Sequence, residues 1–146
     1  MASFSTFQGG PFVEVFSPQG KDPTGTWKMC GGKAVKRVYE KNVKGYVYAI
    51  SGGPGHKMQL PKDERKGLSL KQPYLVFQFF VPAGQHISFE VGISDAEGTR
   101  RRLFFSSSFS DVKATPLHCQ VPLSPSLICR DTWVNLALHL PSLTAA

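Results

Sequence analysis

Hydrophobic and polar residues alternate with a period of two along much of this chain, in short runs. The clearest stretch is residues 74–108, where apolar runs at 74–81, 86–93 and 101–107 are separated by turn signals rich in Pro, Gly and Asp. In the second run the large apolar residues fall on alternate positions and share one face. We predict a three-stranded antiparallel meander, with the first run, apolar on both faces, as a central strand.

The same pattern predicts strands elsewhere. Seven further runs have strand length and are bounded by turn residues: residues 12–17, 27–30, 35–39, 46–50, 57–60, 117–123 and 133–140. No segment shows a capped apolar pattern with a period of 3.6. The fold class predicted is all-β, an antiparallel β-sandwich or jelly roll, in one domain of residues 1–141. Residues 142–146 are expected to form a fraying tail in which Leu143 has nothing to pack against.

The positive charge lies in the first half of the chain. The net charge is +7, and residues 1–73 carry twelve Lys/Arg against five Asp/Glu, whereas residues 74–146 carry five of each. Such a surplus suggests an acidic partner, whether nucleic acid, anionic lipid or the acidic tails of a cytoskeletal polymer. It is equally typical of a solvated face that only keeps a protein soluble, and the sequence leaves both readings open.

The candidate contacts to an acidic partner are the basic residues of two segments. They are Lys33, Lys36, Arg37, Lys41, Lys44, Arg100, Arg101 and Arg102. In an extended strand Arg100 and Arg102 share one face and Arg101 takes the other. The triple-arginine run therefore fits two interpretations: a strand start whose stems cover apolar neighbours, or a paired grip on carboxylates or phosphates.

Motifs that carry chemistry are missing from the sequence. Residues 51–55 (SGGPG) lack the Lys-Ser/Thr pair and the helix of a phosphate loop, so they are interpreted as a turn. The histidines are far apart, and His118 and Cys119 point to opposite faces of a strand, so they cannot share a metal ion. We expect no catalytic site, no metal and no cofactor, and hence a protein that is not an enzyme.

Cysteine and aromatic residues add two expectations. Three cysteines without metal spacing, together with the absence of a secretory signal or an apolar run of about 20 residues, favour reduced, buried or half-buried thiols in a cytosolic protein. Tyr46 and Tyr48 share a strand face, as a sugar- or base-stacking site requires. Because the sequence shows no second aromatic strand beside them, they are interpreted as packing residues, as are Trp27 and Trp133.

Several blocks, in order along the chain, resemble a known family. They are Phe7-Gln8-Gly9-Gly10-Pro11-Phe12-Val13-Glu14-Val15-Phe16-Ser17 with Trp27, Gly67-Leu68-Ser69-Leu70 with Tyr74-Leu75-Val76, Arg100-Arg101-Arg102-Leu103 with Ser106-Ser107, Thr115-Pro116-Leu117-His118, Val121-Pro122-Leu123 and Trp133-Val134-Asn135-Leu136. This series resembles the family of cilia- and flagella-associated protein 20, the CFA20 domain family, and is closest to a larger member that contains this domain.

The resemblance implies a non-catalytic β-sandwich of jelly-roll character. The founding member is a structural protein of ciliary and centriolar microtubules that helps seal the inner junction of the doublet, where the B-tubule meets the A-tubule. The partners implied are tubulin or microtubules and other axonemal proteins, with no membrane. The location implied is the axoneme of a cilium or flagellum, the cytoplasm and the cytoskeleton, with the nucleus as an alternative. The runner-up function is a carbohydrate- or nucleic-acid-binding β-sandwich.

Two departures from the family pattern are expected to matter. Ser69 stands where the family's Leu-Gly-Leu block has glycine. The family domain also continues by further strands beyond the run at residues 133–140, so the fold is expected to lack the last strands, as a C-terminally truncated form would. Their loss would leave apolar sheet surface and an open strand edge exposed.

Overall fold

The structure, a computed structural model, describes residues 12–144 and consists mainly of β-strands. The strands are β1 (Lys28–Cys30), β2 (Val35–Glu40), β3 (Gly45–Ile50), β4 (Lys57–Gln59), β5 (Tyr74–Phe80), β6 (Ser88–Ser94), β7 (Arg100–Ser106), β8 (Lys113–Ala114), β9 (His118–Pro122) and β10 (Trp133–His139). The helical elements are a 3₁₀ turn at Gly32–Ala34 and a five-residue helix, α1 (Leu140–Thr144). The prediction of an all-β fold with almost no helix is confirmed.

The contacts divide the chain into two compact units, of which the first is Met1–Gln72. In its described part β1 pairs with β4, and β2 pairs with β3 as an antiparallel hairpin. Half-buried aromatic rings pack beside the hairpin: Phe16 lies 5.2 Å from Trp27 and 5.5 Å from Tyr48, both edge-on.

The second unit, Pro73–Ala146, is a two-layer sandwich. One layer is the antiparallel pair β5–β10, and the other has the strand order β6-β7-β9-β8. The layers meet through aromatic rings: Phe77 of β5 lies 4.3 Å from Phe89 of β6, which lies 4.9 Å from Phe105 of β7. The buried core of this unit is Val81, Leu103, Phe105, Leu123, Ile128, Leu136 and Leu138.

The predicted meander is wrong in its pairing. β6 and β7 form an antiparallel hairpin, but β5 pairs with β10 rather than with β6. The apolar face of β5 packs against the core of the sandwich. This packing buries one face of β5 without a hydrogen-bonded strand on each side of it. Its other face is exposed, and it is not a central strand. The sheets are antiparallel except for β7 and β9, which run parallel.

Three smaller differences have simple causes. Residues 12–17 form no strand: Val13 and Val15 are half-buried and Phe12 and Glu14 are exposed, but this alternation is not accompanied by backbone pairing. Strand β8 was not predicted, since its two residues are exposed and carry no apolar pattern. The expectation that Leu143 has nothing to pack against is wrong: Leu143 packs against the core of the second unit from helix α1.

Candidate acidic-partner interface

The β2–β3 hairpin carries four of the eight basic residues singled out in the sequence. Glu40 and Gly45 are the last paired residues, so residues 41–44 form the loop. The Lys44 backbone N–H donates to the Glu40 carbonyl at 2.9 Å, and Lys44 has a φ of 58°. This tight turn leaves the side chains of Lys41 and Lys44 exposed at the tip.

The remaining residues of the set are spread around the hairpin. Lys33 is exposed in the 3₁₀ turn before β2, and Lys36 is exposed on the strand itself. A six-residue strand spans about 20 Å, so Lys33 lies at the opposite end from the tip. Within residues 12–144, none of these four lysines forms an ion pair. They present unneutralised charge along the hairpin rather than one compact cluster.

Arg37 plays a different part from its lysine neighbours. Strand alternation places it on the opposite face from Lys36, where it is half-buried. Its guanidinium carbon lies 3.9 Å from the centre of the Tyr46 ring, and its Nη2 donates to the Gly20 carbonyl at 2.9 Å. Its Nε is buried without a hydrogen-bond partner. Arg37 therefore fixes the preceding loop to the hairpin and is poorly placed to meet a partner.

The hairpin also brings together an aromatic pair that the sequence interpretation missed. Tyr39 lies directly opposite Tyr46, with ring centres 5.6 Å apart and planes at 84°. Tyr39 is 59% exposed and Tyr46 41% exposed, whereas Tyr48 is half-buried. The aromatic strand beside Tyr46 and Tyr48, which the sequence interpretation did not find, is thus β2. Closing the hairpin around residues 41–44 sets this register, so the turn signal alone could have revealed the pair.

Gln19 pairs with the backbone of β3. Its Nε2 donates to the Tyr46 carbonyl at 2.8 Å, and its Oε1 accepts from the Tyr46 N–H at 3.1 Å. An amide side chain thereby satisfies backbone groups that would otherwise lie open to a further strand. No local pattern signals this contact, because the two residues lie 27 positions apart.

The triple-arginine run opens β7, as the strand-start interpretation predicts. Arg101 points inward, and its Nη1 donates to the Pro116 carbonyl at 2.9 Å while its Nη2 lies 3.2 Å from Asp95 Oδ2. Arg102 is exposed, but its Nε lies 2.6 Å from Glu90 Oε1. Arg100 is exposed at the first position of the strand. Arg101 and Arg102 are thus engaged within their own unit.

Asp95 organises the turn that precedes these arginines. Its Oδ1 accepts from the backbone N–H groups of Glu97 at 3.0 Å and Thr99 at 2.9 Å. The Thr99 hydrogen bond is the main cause that holds the pKa of Asp95 below its ordinary value. Partial burial acts in the opposite direction, and Arg101 lowers the pKa further. These contacts favour the ionised form of Asp95, which stabilises the turn together with its backbone hydrogen bonds.

The glycine-rich loop at residues 51–55 encloses a histidine. His56 Nδ1 lies 3.0 Å from the Ser51 carbonyl oxygen. A Cβ on Gly53 would come within 2.5 Å of the His56 ring, and one on Gly31 within 2.7 Å. This close approach explains the glycines at positions 31 and 53, and the segment 51–55 is a turn, as interpreted from the sequence.

Other candidate chemistry is sparse in residues 12–144. No group of three or more His, Cys, Asp or Glu side chains converges there as a metal site. His86 Nδ1 lies 3.1 Å from Ser107 Oγ, but this hydroxyl also accepts from the Ile87 N–H at 3.0 Å, which ties β6 to the end of β7. None of the helices in this part of the chain is long and apolar enough to cross a membrane.

The cysteines partly match expectation. All three are free thiols in the structure, and Cys30 and Cys119 are half-buried. Cys129 is exposed, so the expectation of buried or half-buried thiols is wrong at that position. It lies in an irregular segment between β9 and β10, where the sequence offers no alternation from which burial can be read.

Comparison with known proteins places the chain in a family. It is 32% identical over 115 residues to WD repeat-containing protein 90 of Xenopus tropicalis, which covers 77% of this chain and 6% of the relative. It is 29% identical over 122 residues to cilia- and flagella-associated protein 20 of Chlamydomonas reinhardtii, which covers 82% of this chain and 63% of the relative. The chain thus spans less than two thirds of either relative. Residues 3–146 match the CFA20 domain, and the chain belongs to the CFA20 domain family.

Proposed function

We propose that this chain is a non-catalytic structural or adaptor module of ciliary or centriolar microtubules, of the type found at the doublet inner junction. Family membership supports a ciliary role, since one relative is named a cilia- and flagella-associated protein. The proposed partners are tubulin and other axonemal proteins, and the proposed location is the axoneme.

One observation carries the microtubule contact: the exposed lysines of the β2–β3 hairpin have no ion-pair partner within residues 12–144. Tubulin tails are acidic, so unneutralised ammonium groups on a rigid hairpin would attract them. The contact proposed is made by Lys33, Lys36, Lys41 and Lys44. Arg37 would support this surface through its internal contacts rather than meet the partner, whereas Arg101 and Arg102 are engaged within the second unit.

Co-sedimentation with microtubules tests this proposal. Wild-type protein should pellet with intact microtubules and should pellet less once the acidic tails have been removed by limited proteolysis. Higher salt should weaken binding, because exposed charges are screened over about 8 Å at physiological ionic strength. Protein that stays in the supernatant at low salt would contradict the proposal.

A nucleic-acid-binding module is the second candidate, and the Tyr39–Tyr46 pair favours it. Exposed aromatic rings beside lysines are the groups that single strands use for stacking and backbone contact. The edge-to-face geometry of the pair weakens this reading, because the two rings do not offer one continuous stacking plane. Single-stranded oligonucleotide added to the co-sedimentation assay separates the candidates: displacement from microtubules, together with loss of oligonucleotide binding in Tyr39→Ala, would support the second one.

A further inference from the structure

Ser69 lies in an irregular segment near the end of the first unit. Residues 61–73 contain neither helix nor strand. Within the described part of the chain, none of residues 67–70 donates or accepts a hydrogen bond. Leu68 and Leu70, on either side of the serine, are half-buried, whereas Ser69 itself is exposed. The serine is therefore accessible to another protein.

The backbone at Ser69 can change conformation at low cost. Its φ of 55° is left-handed, which is unfavourable for a residue that has a Cβ atom. Opening residues 67–70 breaks no hydrogen bond, and the cost that remains is the partial burial of Leu68 and Leu70. Segments with few buried contacts and few hydrogen bonds open locally at low free energy. This one can therefore extend into the cleft of an enzyme that modifies a side chain.

Basic residues flank Ser69 on both sides. Lys66 lies three positions before it and Lys71 two positions after it, and both are exposed. Within residues 12–144, neither lysine forms an ion pair. Positions 66–72 contain no acidic residue. The hydroxyl of Ser69 is therefore placed in a locally basic segment with two ammonium groups open to an acidic partner.

The two flanking charges distinguish Ser69 from other hydroxyl residues. Among the serines and threonines of residues 12–144, a Lys or Arg three positions before also occurs at Thr24, and one two positions after also occurs at Thr26 and Thr99. Both charges together occur in this range at Ser69 alone. Thr24 is also half-buried. Sequence and exposure thus select the same serine.

We infer that Ser69 is a phosphorylation site for a serine/threonine kinase with an acidic substrate groove. Kinases discriminate among substrates partly through charge patterns, and carboxylates in such a groove would meet Lys66 and Lys71. The Ser69 Oγ attacks the γ-phosphorus of Mg-ATP, and the new O–P bond forms as the bond from that phosphorus to the β–γ bridging oxygen breaks. ADP leaves, and the hydroxyl proton passes to the catalytic aspartate of the kinase.

The phosphate changes the charge of the segment. It brings about −1.5 to −2 charges at neutral pH and three acceptor oxygens. Residues 62–71 hold four basic and two acidic side chains, so their positive surplus is cancelled or nearly so. Lys66 and Lys71 supply cations that the phosphate can pair with. Modification should therefore order a stretch that has no hydrogen bonds of its own within residues 12–144.

Incubation of the native protein with protein kinase C, ATP and Mg²⁺ tests the inference, with intact-mass spectrometry and peptide mapping as the measurement. The wild-type protein should gain a phosphate that maps to Ser69. Ser69→Ala should lose most of the incorporated phosphate, whereas Thr24→Ala, which removes the other hydroxyl preceded by a lysine at that spacing, should match wild type. Replacing Lys66 and Lys71 together with Gln should slow the reaction roughly tenfold, within the range by which complementary charge enhances association.

Circular dichroism verifies that each variant is folded. Should Ser69→Ala fail to fold, Ser69→Gly takes its place, since glycine suits the positive φ. A synthetic peptide of residues 62–75 serves as a reference for the sequence without its fold.

Three results would overturn the inference. One is a folded wild-type protein that gains no phosphate on Ser69; if the peptide is modified under the same conditions, the fold withholds the hydroxyl. The second is incorporation that persists in a folded Ser69→Ala or Ser69→Gly variant. The third is a double glutamine variant that reacts as fast as wild type. None of these depends on microtubule binding, so the inference and the proposed function can fail separately.

Discussion

The guanidinium of Arg37 lies 3.9 Å above the ring of Tyr46, while its Nη2 donates to the Gly20 carbonyl. One side chain therefore connects two strands and the loop before them. An exposed cation–π contact contributes about 0.5–1 kcal/mol and a hydrogen bond about 1 kcal/mol. Arg37 thus stabilises the hairpin that presents Lys36, Lys41 and Lys44.

Arg37→Ala should lower the free energy of unfolding by about 1–2 kcal/mol, because both contacts are lost. Lys36→Ala, one position away on the opposite face, should change it by less than about 0.5 kcal/mol. Urea denaturation of the two variants measures the difference. Equal stabilities would show that the Arg37 contacts contribute nothing.

Ser69→Gly should stabilise the protein. Ser69 has a φ of 55°, a left-handed conformation that costs a non-glycine residue about 1–2 kcal/mol. Glycine avoids this cost, but its greater conformational freedom in the unfolded chain offsets part of the stabilisation. The expected net increase is up to about 1 kcal/mol in the same urea assay. Ser69→Ala is the control, since alanine removes the hydroxyl but keeps the backbone penalty. A glycine variant no more stable than the alanine variant would refute the backbone explanation.

Gly53→Ala should destabilise the first unit by about 1–3 kcal/mol, the usual range for overpacking, because the new methyl group would lie 2.5 Å from the His56 ring. Adding His56→Ala should restore part of the loss by making room. Gly92→Ala is a suitable control, since a Cβ there meets nothing within 4 Å. Thermal unfolding of the four proteins tests the prediction, and an unaffected Gly53→Ala variant would mean that the ring moves aside freely.

The stability contributed by Asp95 should depend on pH. The folded-state pKa of Asp95 lies below its ordinary value of 3.8, chiefly because the Thr99 N–H donates to the carboxylate. The unfolded chain therefore binds the proton more readily, and this contribution is present above about pH 4 and lost as the pH falls through the folded-state pKa. Asp95→Asn should be less stable than wild type at neutral pH, and the gap should narrow in acid. Asp111→Asn, on an exposed loop, is the control, and a gap that does not change with pH would contradict the assignment.

Sequence periodicity predicted individual strands better than it predicted their partners. Residues 74–81 were recognised as a strand because their length and composition are local properties. Pairing of β5 with β10, more than 50 positions away, depends on how two layers pack across Phe77 and Phe89, which no local pattern records. The same limit explains why the parallel pairing of β7 with β9 was missed.

The candidate interface was predictable only as a set of basic residues. Counting charges located the surplus in the first half but could not separate exposed lysines from Arg37, whose role depends on contacts with Gly20 and Tyr46. At Ser69 the sequence did indicate a backbone feature. This serine replaces the glycine of the family pattern, and its φ is positive. A deviation from a family pattern thus located a backbone feature that periodicity could not.

Microtubule co-sedimentation of two lysine variants is the most direct test of the electrostatic hairpin contact. One variant replaces the hairpin set, Lys33, Lys36, Lys41 and Lys44, with alanine. The other replaces four exposed lysines outside the hairpin, Lys57, Lys62, Lys66 and Lys71, and removes the same charge from the same unit.

The hairpin variant should bind roughly tenfold more weakly at low salt, within the range by which complementary charge enhances association. It should also lose most of its salt dependence, while the second variant stays close to wild type. Equal weakening of both variants would mean that only net charge matters. A hairpin variant that binds as tightly as wild type would contradict the proposed contact outright.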